Sequence, residues 1–247
     1  MIYFFEAIVF VGYSFLAPII TAGGGLLVAN VLTLGHIDLI RAAGLTSVFF
    51  LFNAFIVVYV FRKDVVWSEV KRFLPLSLVG SILGALFLVN VSPPILLFLM
   101  FCFSVYFIYK KITIPETNTS PIKDPFYKEQ GISFFSGVLQ GSALPGGGFR
   151  NAYFLSKGFT LQQMHGTTNL IGIFLWIAKI TTLISATILT TRDFIGIVVA
   201  FPFLIISNIL LRRGLIKFSK KTTDVITITS MSLFSVYALA VIGIALF

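Results

Sequence analysis

The sequence predicts an all-α integral membrane protein made of two inverted-topology repeats. Three observations predict it: the composition, the lengths of the apolar runs and an internal duplication. Hydrophobic residues make up 57% of the 247 residues and charged residues only 11%, whereas an ordinary soluble domain is about 25% charged. A soluble chain of this size could not bury that much apolar surface, so the apolar runs are expected to face lipid.

The charged and metal-binding residues exclude several classes of protein. The formal net charge is +9, but most cations lie in short loops between apolar runs, which is typical of membrane orientation and not of nucleic-acid binding. Cys102 stands alone in an apolar run, and with two histidines the chain offers no credible transition-metal site. We therefore expect no nucleic-acid partner, no disulfide, no metal and no cofactor. We expect a multi-pass protein of the cell membrane whose apolar N-terminal segment is retained.

The apolar runs predict six full spans. Crossing a hydrocarbon core of about 30 Å takes about 20 helical residues. Residues 73–109 are too many for one helix, and we expect a break at residues 90–94, where two prolines follow Asn90. Residues 166–189 are expected to form one span that continues through Lys179. The other predicted spans are residues 42–61, 194–211 and 225–247.

Residues 110–130 form the long polar segment of the chain. They carry three prolines among Thr, Asn, Ser and Lys residues, a composition typical of an irregular linker. The segment predicts a first membrane repeat over residues 1–109, a cytoplasmic linker, and a second repeat over residues 131–247.

The two halves carry matching motifs in the same order. Gly23, Gly24 and Gly25 recur 123 residues later as Gly146, Gly147 and Gly148. Residues 43–47 recur as residues 165–169, at an offset of 122. Further pairs are Glu6 with Glu129 and Pro75 with Pro202. Several ordered matches predict a duplicated unit.

The loop charges predict that the halves are inverted. In the first half, the loop at residues 62–72 is basic and the turn at residues 90–94 is uncharged. In the second half, the corresponding turn at residues 192–193 is neutral and the next one, residues 212–221, carries five basic residues. Because basic loops are usually cytoplasmic, equivalent loops are expected on opposite sides of the membrane.

Inversion needs an odd number of crossings in each half, so each half is expected to contain one re-entrant hairpin. Residues 131–144 would form a helix of about 21 Å, too short to cross a bilayer. We expect residues 131–157 to enter the membrane, turn at the glycines and leave on the same side, with residues 8–34 doing so from the opposite face. A count of eight transmembrane segments is the alternative.

The paired motifs resemble those of the TauE/SafE family of sulfite and organosulfur anion exporters, over about residues 5–245. The resemblance rests on a glycine-rich triplet in each half and a Thr-Ser-like pair about 20 residues later. In this sequence His165 stands where alanine is usual, and Asn169 where serine is usual. The resemblance implies export of a small anion. The site residues that it implies are Gly23, Gly24, Gly25, Thr46, Ser47, Gly146, Gly147, Gly148, Thr168 and Asn169.

The residues also predict an anion site independently of this resemblance. A short helix that begins at a glycine triplet at membrane depth presents free N–H groups and the positive end of its dipole. Arg150 and Lys179 add two cations within apolar segments, where a charge costs roughly 2.5–3.5 kcal/mol. Their repeat equivalents are Leu27 and Val57, so the fold does not require them. We predict that both bind substrate.

Each of these assignments has a structural alternative. Glycines also allow close helix packing, Arg150 could extend to the interface, and Lys179 could pair with a carboxylate. Hydroxyl residues could bond only to their own helix backbone. His165 is a candidate proton relay or a plain interfacial histidine, and Trp176 is interpreted as interfacial or packing. Weaker polar candidates are Asn30, Asn53, Gln140, Ser142, Asn151 and Asn208.

The function expected from these features is export of a small anion such as sulfite or a sulfonated organic acid. A membrane potential of about 100 mV, negative inside, favours anion exit by about 2.3 kcal/mol per charge. An anion channel or an accessory membrane subunit is the alternative. A membrane-embedded enzyme is disfavoured because no nucleophile with its base is found. The sequence leaves the oligomeric state open.

Overall fold

The computed structural model describes residues 2–16, 28–29, 32–33, 37–113, 125–142, 146–190 and 194–212, together with residues 229, 232, 235–236 and 239–240. Its helices are α1 (Ile2–Leu16), α2 (Leu39–Val60), α3 (Trp67–Asn90), α4 (Pro93–Thr113), α5 (Phe126–Gly141), α6 (Gly146–Ser156), α7 (Leu161–Ser185) and α8 (Ile195–Arg212). No strand occurs among the described residues, so the all-α prediction is confirmed there. Three described helices, α2, α3 and α7, are long and apolar enough to span a bilayer.

Local sequence signals explain where several helices begin and end. The Asp38 side chain accepts hydrogen bonds from the backbone N–H groups of Ile40 and Arg41, which caps α2. Thr160 and Gln163 form a reciprocal capping box at the start of α7. The break expected at residues 90–94 is confirmed, because α3 ends at Asn90 and α4 begins at Pro93.

Two boundaries differ from the sequence-based expectation. The predicted linker, residues 110–130, is partly helical: α4 continues to Thr113 and α5 begins at Phe126. Apolar-run lengths underestimate such helices because a helix can extend beyond the hydrocarbon core with polar residues. The second glycine triplet is also helical, contrary to the turn expected at the glycines: α5 ends at Gly141 and Gly146 is the first residue of α6. The first triplet and most of residues 225–247 lie outside the described residues.

Helices α5 and α6 form a hairpin that packs along α3. The Cα atoms approach so closely that an ideal Cβ on Gly137 would lie 2.1 Å from the Ser77 oxygen, and one on Gly141 would lie 2.2 Å from the Ser81 oxygen. Small residues allow this contact, as they do between membrane helices generally. The order of these contacts makes α3 and α5 parallel. Their packing places the hairpin turn beside Ser81, whereas α3 continues to Asn90.

Helices α2 and α7, which begin with the duplicated motif at residues 43–47 and 165–169, run antiparallel and pack on each other. An ideal Cβ on Gly44, near the start of α2, would touch the Leu189 side chain just beyond the end of α7. Conversely, a Cβ on Gly166, near the start of α7, would lie 2.9 Å from the carbonyl oxygen of Phe61, just beyond α2. The two helices that carry the matching motifs therefore point in opposite directions in the folded chain.

Candidate functional site

A buried charge cluster anchors the open end of the α5–α6 hairpin to the start of α3. The Glu129 carboxylate is 2% exposed; it pairs with Arg72 at 2.9 Å and with Lys157, and it accepts a hydrogen bond from the Tyr153 hydroxyl. Lys157 also pairs with Glu69 at 3.1 Å. Since Lys157 follows α6 and Glu129 lies in the first turn of α5, this contact brings the two hairpin ends together on one side. These two carboxylates are engaged by the cations of the cluster.

Arg150 lies in the second turn of α6, at the opposite end of the hairpin from that cluster. Its side chain is 2% exposed. Nη2 donates to Gln140 Oε1 at 2.9 Å and to the Thr168 carbonyl oxygen at 3.3 Å, which joins α6 to α5 and α7. Nε and Nη1 are buried without a hydrogen-bond partner. The guanidinium is enclosed by protein, and two of its nitrogens remain available to donate hydrogen bonds.

Lys179 approaches the same region from α7. Its side chain is 1% exposed, and Nζ donates to the Gln140 carbonyl oxygen at 3.4 Å. Nζ also lies 5.7 Å from the centre of the Trp176 ring, within reach of a cation–π interaction. Gln140 is therefore shared: its side chain accepts from Arg150 and its backbone accepts from Lys179.

The electrostatic balance of this region favours an added anion. Among the described residues, neither Arg150 nor Lys179 has a carboxylate within ion-pair distance. They contact the Thr168 carbonyl oxygen of α7 and the side-chain and backbone oxygens of Gln140 at the C-terminal end of α5, where the helix dipole supplies about half a negative charge. Two buried cations are thus only partly compensated, and an incoming anion would meet both charge and free N–H groups.

The hydroxyl and amide residues of the duplicated motif bond to their own helices. Thr46, Ser47 and Thr168 donate to the carbonyl oxygens four residues earlier, at 2.6–2.8 Å, and Asn169 Nδ2 does the same at 2.9 Å. A hydroxyl proton used in this way is not available to an anion. Thr168 reaches the region through its carbonyl oxygen. Substrate contact by these side chains stays a prediction.

The remaining predicted residues are placed as follows. Gly146 packs against α5, where a Cβ would lie 2.2 Å from the Ser136 oxygen, whereas a Cβ on Gly147 would meet open space. Gly148 is buried in the same turn. His165 stacks on Phe61 at 5.8 Å between ring centres, so the structure assigns it a packing contact. Gly23, Gly24 and Gly25 lie outside the described residues.

Two residues gain importance that the sequence did not give them. Gln140 is one of six weak polar candidates by sequence, but it contacts both cations. Trp176, interpreted as interfacial or packing, lies beside Lys179 and stacks on Phe50 with ring centres 5.9 Å apart. The signal for both is their spacing from the cations: Gln140 precedes Arg150 across the hairpin turn, and Trp176 lies one turn before Lys179. No group of three or more His, Cys, Asp or Glu side chains in the described ranges could hold a metal.

Comparison with known proteins assigns the chain to a family of membrane transporters. A family model, described as the sulfite exporter TauE/SafE, matches residues 5–244, nearly the whole chain. No match is found among curated proteins or among solved structures. The match covers both halves and includes the hairpin, both cations and the duplicated motifs. The chain therefore belongs to the TauE/SafE sulfite exporter family.

Proposed function

We propose that this membrane transporter exports a small oxyanion, such as sulfite or a sulfonated organic acid, and binds it between the turn of the α5–α6 hairpin and α7. Membership of the family makes the chain a transporter of sulfite-like anions and not an enzyme. The proposal adds the site, the direction and the cell membrane as the location. Gly147 and Arg150 of α6 line one side of this site, and Lys179 of α7 lines the other.

One observation carries the proposal: Arg150 is buried with two of its nitrogens unpartnered. Leaving a buried charged donor unsatisfied is costly, typically by about 1–3 kcal/mol or more. An oxyanion that accepts from Nε and Nη1 would remove this cost, and a guanidinium presents these donors in a planar fork that suits oxyanions. Lys179 would add a second positive charge without a fixed geometry.

The packing of the helices supports the inverted-repeat arrangement that transport would use. Equivalent helices α2 and α7 run antiparallel, and the hairpin ends beside the middle of α3. In inverted-repeat transporters, broken helices meet near the midplane and the substrate binds where they meet. An inside-negative potential then favours exit of the anion without a coupled ion.

Sulfite binding to purified protein and sulfite flux in liposomes test the site. Loss of a charged hydrogen bond costs about 1.5–3 kcal/mol, or roughly ten- to a hundredfold in affinity. We expect that loss for Arg150→Gln, a clear loss for Arg150→Lys because an ammonium cannot replace a fork, and a smaller loss for Lys179→Gln. Lys71→Gln removes an exposed cation of α3 and is the matched control.

Unchanged sulfite affinity in both Arg150→Gln and Lys179→Gln, with normal membrane insertion, would overturn the proposed site. Loss of binding in Lys71→Gln of the same size would show that only the overall positive charge matters. Flux that is not saturated at high sulfite concentration would favour an anion channel over a transporter.

A further inference from the structure

Gly172 of α7 lies beside Arg150, Trp176 and Gln140. An ideal Cβ on Gly172 would lie 3.6 Å from Arg150 Nη2, 3.7 Å from Trp176 Nε1 and 3.8 Å from Gln140 Nε2. These are ordinary van der Waals distances, so the space beside this glycine has room for one atom. All three neighbouring atoms are nitrogens that carry hydrogen.

Two of these nitrogens, Gln140 Nε2 and Trp176 Nε1, can donate toward that space, whereas Arg150 Nη2 already donates to Gln140 Oε1 and the Thr168 carbonyl oxygen and contributes positive charge. The positions of the Gln140 amide oxygen and nitrogen follow from the contact with Arg150, because a guanidinium can only donate and its partner must be Oε1. Nε2 is therefore the amide atom that can donate toward Gly172. The Trp176 indole nitrogen is a donor only. Within the described part of the chain, no hydrogen bond uses Gln140 Nε2 or Trp176 Nε1. Arg150 adds its two unpartnered nitrogens on the same guanidinium.

We infer that Gly172 forms the floor of the anion site, and that Trp176 and Gln140 are binding residues that determine which anions it accepts. The inference rests on the proposed function and deepens it. An oxygen accepting hydrogen bonds sits about 2.7–3.1 Å from its donors and must stay at non-bonded distance from the Gly172 Cα, so one oxygen of a bound anion would lie just beyond the position of the absent Cβ, where a methyl group would displace it. The other oxygens would face Arg150 Nε and Nη1.

The arrangement selects a class of ligand. Two N–H donors beside a guanidinium with two unpartnered nitrogens, and no carboxylate among the described neighbours, suit an anion that carries several oxygens on one centre. A site that donates to each oxygen discriminates strongly against anions lacking one, because a buried donor is then left unpaired. The site is therefore expected to prefer a pyramidal or tetrahedral oxyanion, sulfite or a sulfonate, over nitrite or chloride.

Intrinsic fluorescence gives a direct test, since the chain has two tryptophans. Trp67 is 60% exposed at the start of α3, so Trp67→Phe leaves Trp176 as the single reporter and is also its matched control. We expect sulfite to change the emission of the Trp67→Phe protein with wild-type affinity. Trp176→Phe keeps an aromatic ring against Phe50 but removes the N–H, and sulfite affinity should fall roughly tenfold.

Gly172→Ala tests the floor of the site independently. The new methyl group meets its neighbours at 3.6–3.8 Å, so the protein should fold while the methyl group displaces the oxygen. Sulfite and methanesulfonate affinity should fall at least tenfold, and nitrite affinity should fall less. Gly131→Ala, which places a methyl group in open space on α5, should bind sulfite normally.

The outcomes separate this inference from the proposed function. Normal sulfite affinity and anion selectivity in both Gly172→Ala and Trp176→Phe, alongside weak binding in Arg150→Gln, would overturn the inference and leave the cation site standing. Normal affinity in all three variants would overturn both.

Discussion

Replacing Gly137 by alanine should destabilise the protein, because this glycine sets the distance between α3 and α5. The new Cβ would lie 2.1 Å from the Ser77 carbonyl oxygen and 2.8 Å and 2.9 Å from the Ser77 carbonyl carbon and Cα. A comfortable Cβ contact begins near 3.4 Å, so the overlap with the oxygen is about 1.3 Å (3.4 minus 2.1). The obstructing atoms are all backbone, so the two helices must separate.

The magnitude follows from three contributions. Overpacking typically costs about 1–3 kcal/mol. Separation also weakens the Ser77–Ser133 hydrogen bonds in the same interface, and interhelical bonds in membranes average about 0.6 kcal/mol. Alanine returns at most about 1 kcal/mol of helix propensity. The net loss should be about 1–3 kcal/mol.

Thermal unfolding in detergent, followed by size-exclusion chromatography, measures this loss. Gly131→Ala is the matched control on the same helix: its Cβ meets nothing within 4 Å, so it should match or exceed wild-type stability. A Gly137→Ala protein as stable as wild type would refute the close packing of α3 against α5.

Three further predictions concern the hairpin and its orientation. Gly146→Ala should reduce thermal stability because its Cβ would lie 2.2 Å from a backbone oxygen of α5. Gly147→Ala should fold normally and lower sulfite flux, because the methyl group narrows the space at the start of α6. Normal sulfite flux in Gly147→Ala would make Gly147 a packing residue only. Glu129→Gln should lower stability by about 1–2 kcal/mol through loss of its charged contacts at the hairpin base, with sulfite affinity unchanged. In a cysteine-free background, Lys123→Cys and Asp193→Cys should react with an impermeant reagent from opposite sides, and labelling from the same side would contradict the inverted repeats.

Helix positions follow well from the sequence where strong local signals exist. The two prolines after Asn90 separate α3 from α4, since proline ends one helix and suits the start of the next. The continuity of α7 through Lys179 also follows, because a single buried cation does not break the backbone hydrogen bonds of a helix. Length and apolarity are sufficient for such predictions.

The turn of the hairpin could not be placed from composition alone. A glycine triplet is compatible with a turn, and also with a helix that approaches another backbone closely. Gly146 is a case of close approach: its dihedral angles are ordinary, but a Cβ at this position would collide with the backbone of α5. Only the position of the neighbouring helix distinguishes the two meanings.

The cations of the candidate site could be predicted, but their neighbours could not. Arg150 and Lys179 stand out because charge is rare and costly in apolar segments. Trp176 does not stand out in a chain that is 15% aromatic, and Gln140 resembles several other polar residues. Their importance comes from the packing of α5 against α7, which brings residues 32 or more positions apart to one place.

Under the predicted duplication, contacts between helices match more closely in the two halves than the residues of the proposed site do. Ser81 of α3 bonds to the Leu175 carbonyl oxygen of α7 at 3.1 Å. At the repeat offsets of 127 and 122, the equivalent pair is Asn208 of α8 and Asn53 of α2, and these two side chains are bonded at 3.0 Å. A polar contact between equivalent helices is thus kept in both halves with different residues.

The cations, in contrast, are not matched between the halves. Arg150 and Lys179 have Leu27 and Val57 as equivalents, and Gly172 has Phe50, whose ring stacks on Trp176. In the proposed site, the second half would supply charge, donors and space, and Phe50 of the first half would supply an aromatic wall. A symmetric site would place four buried cations together, at a large cost in repulsion and desolvation. Confining the charges to one half avoids that cost.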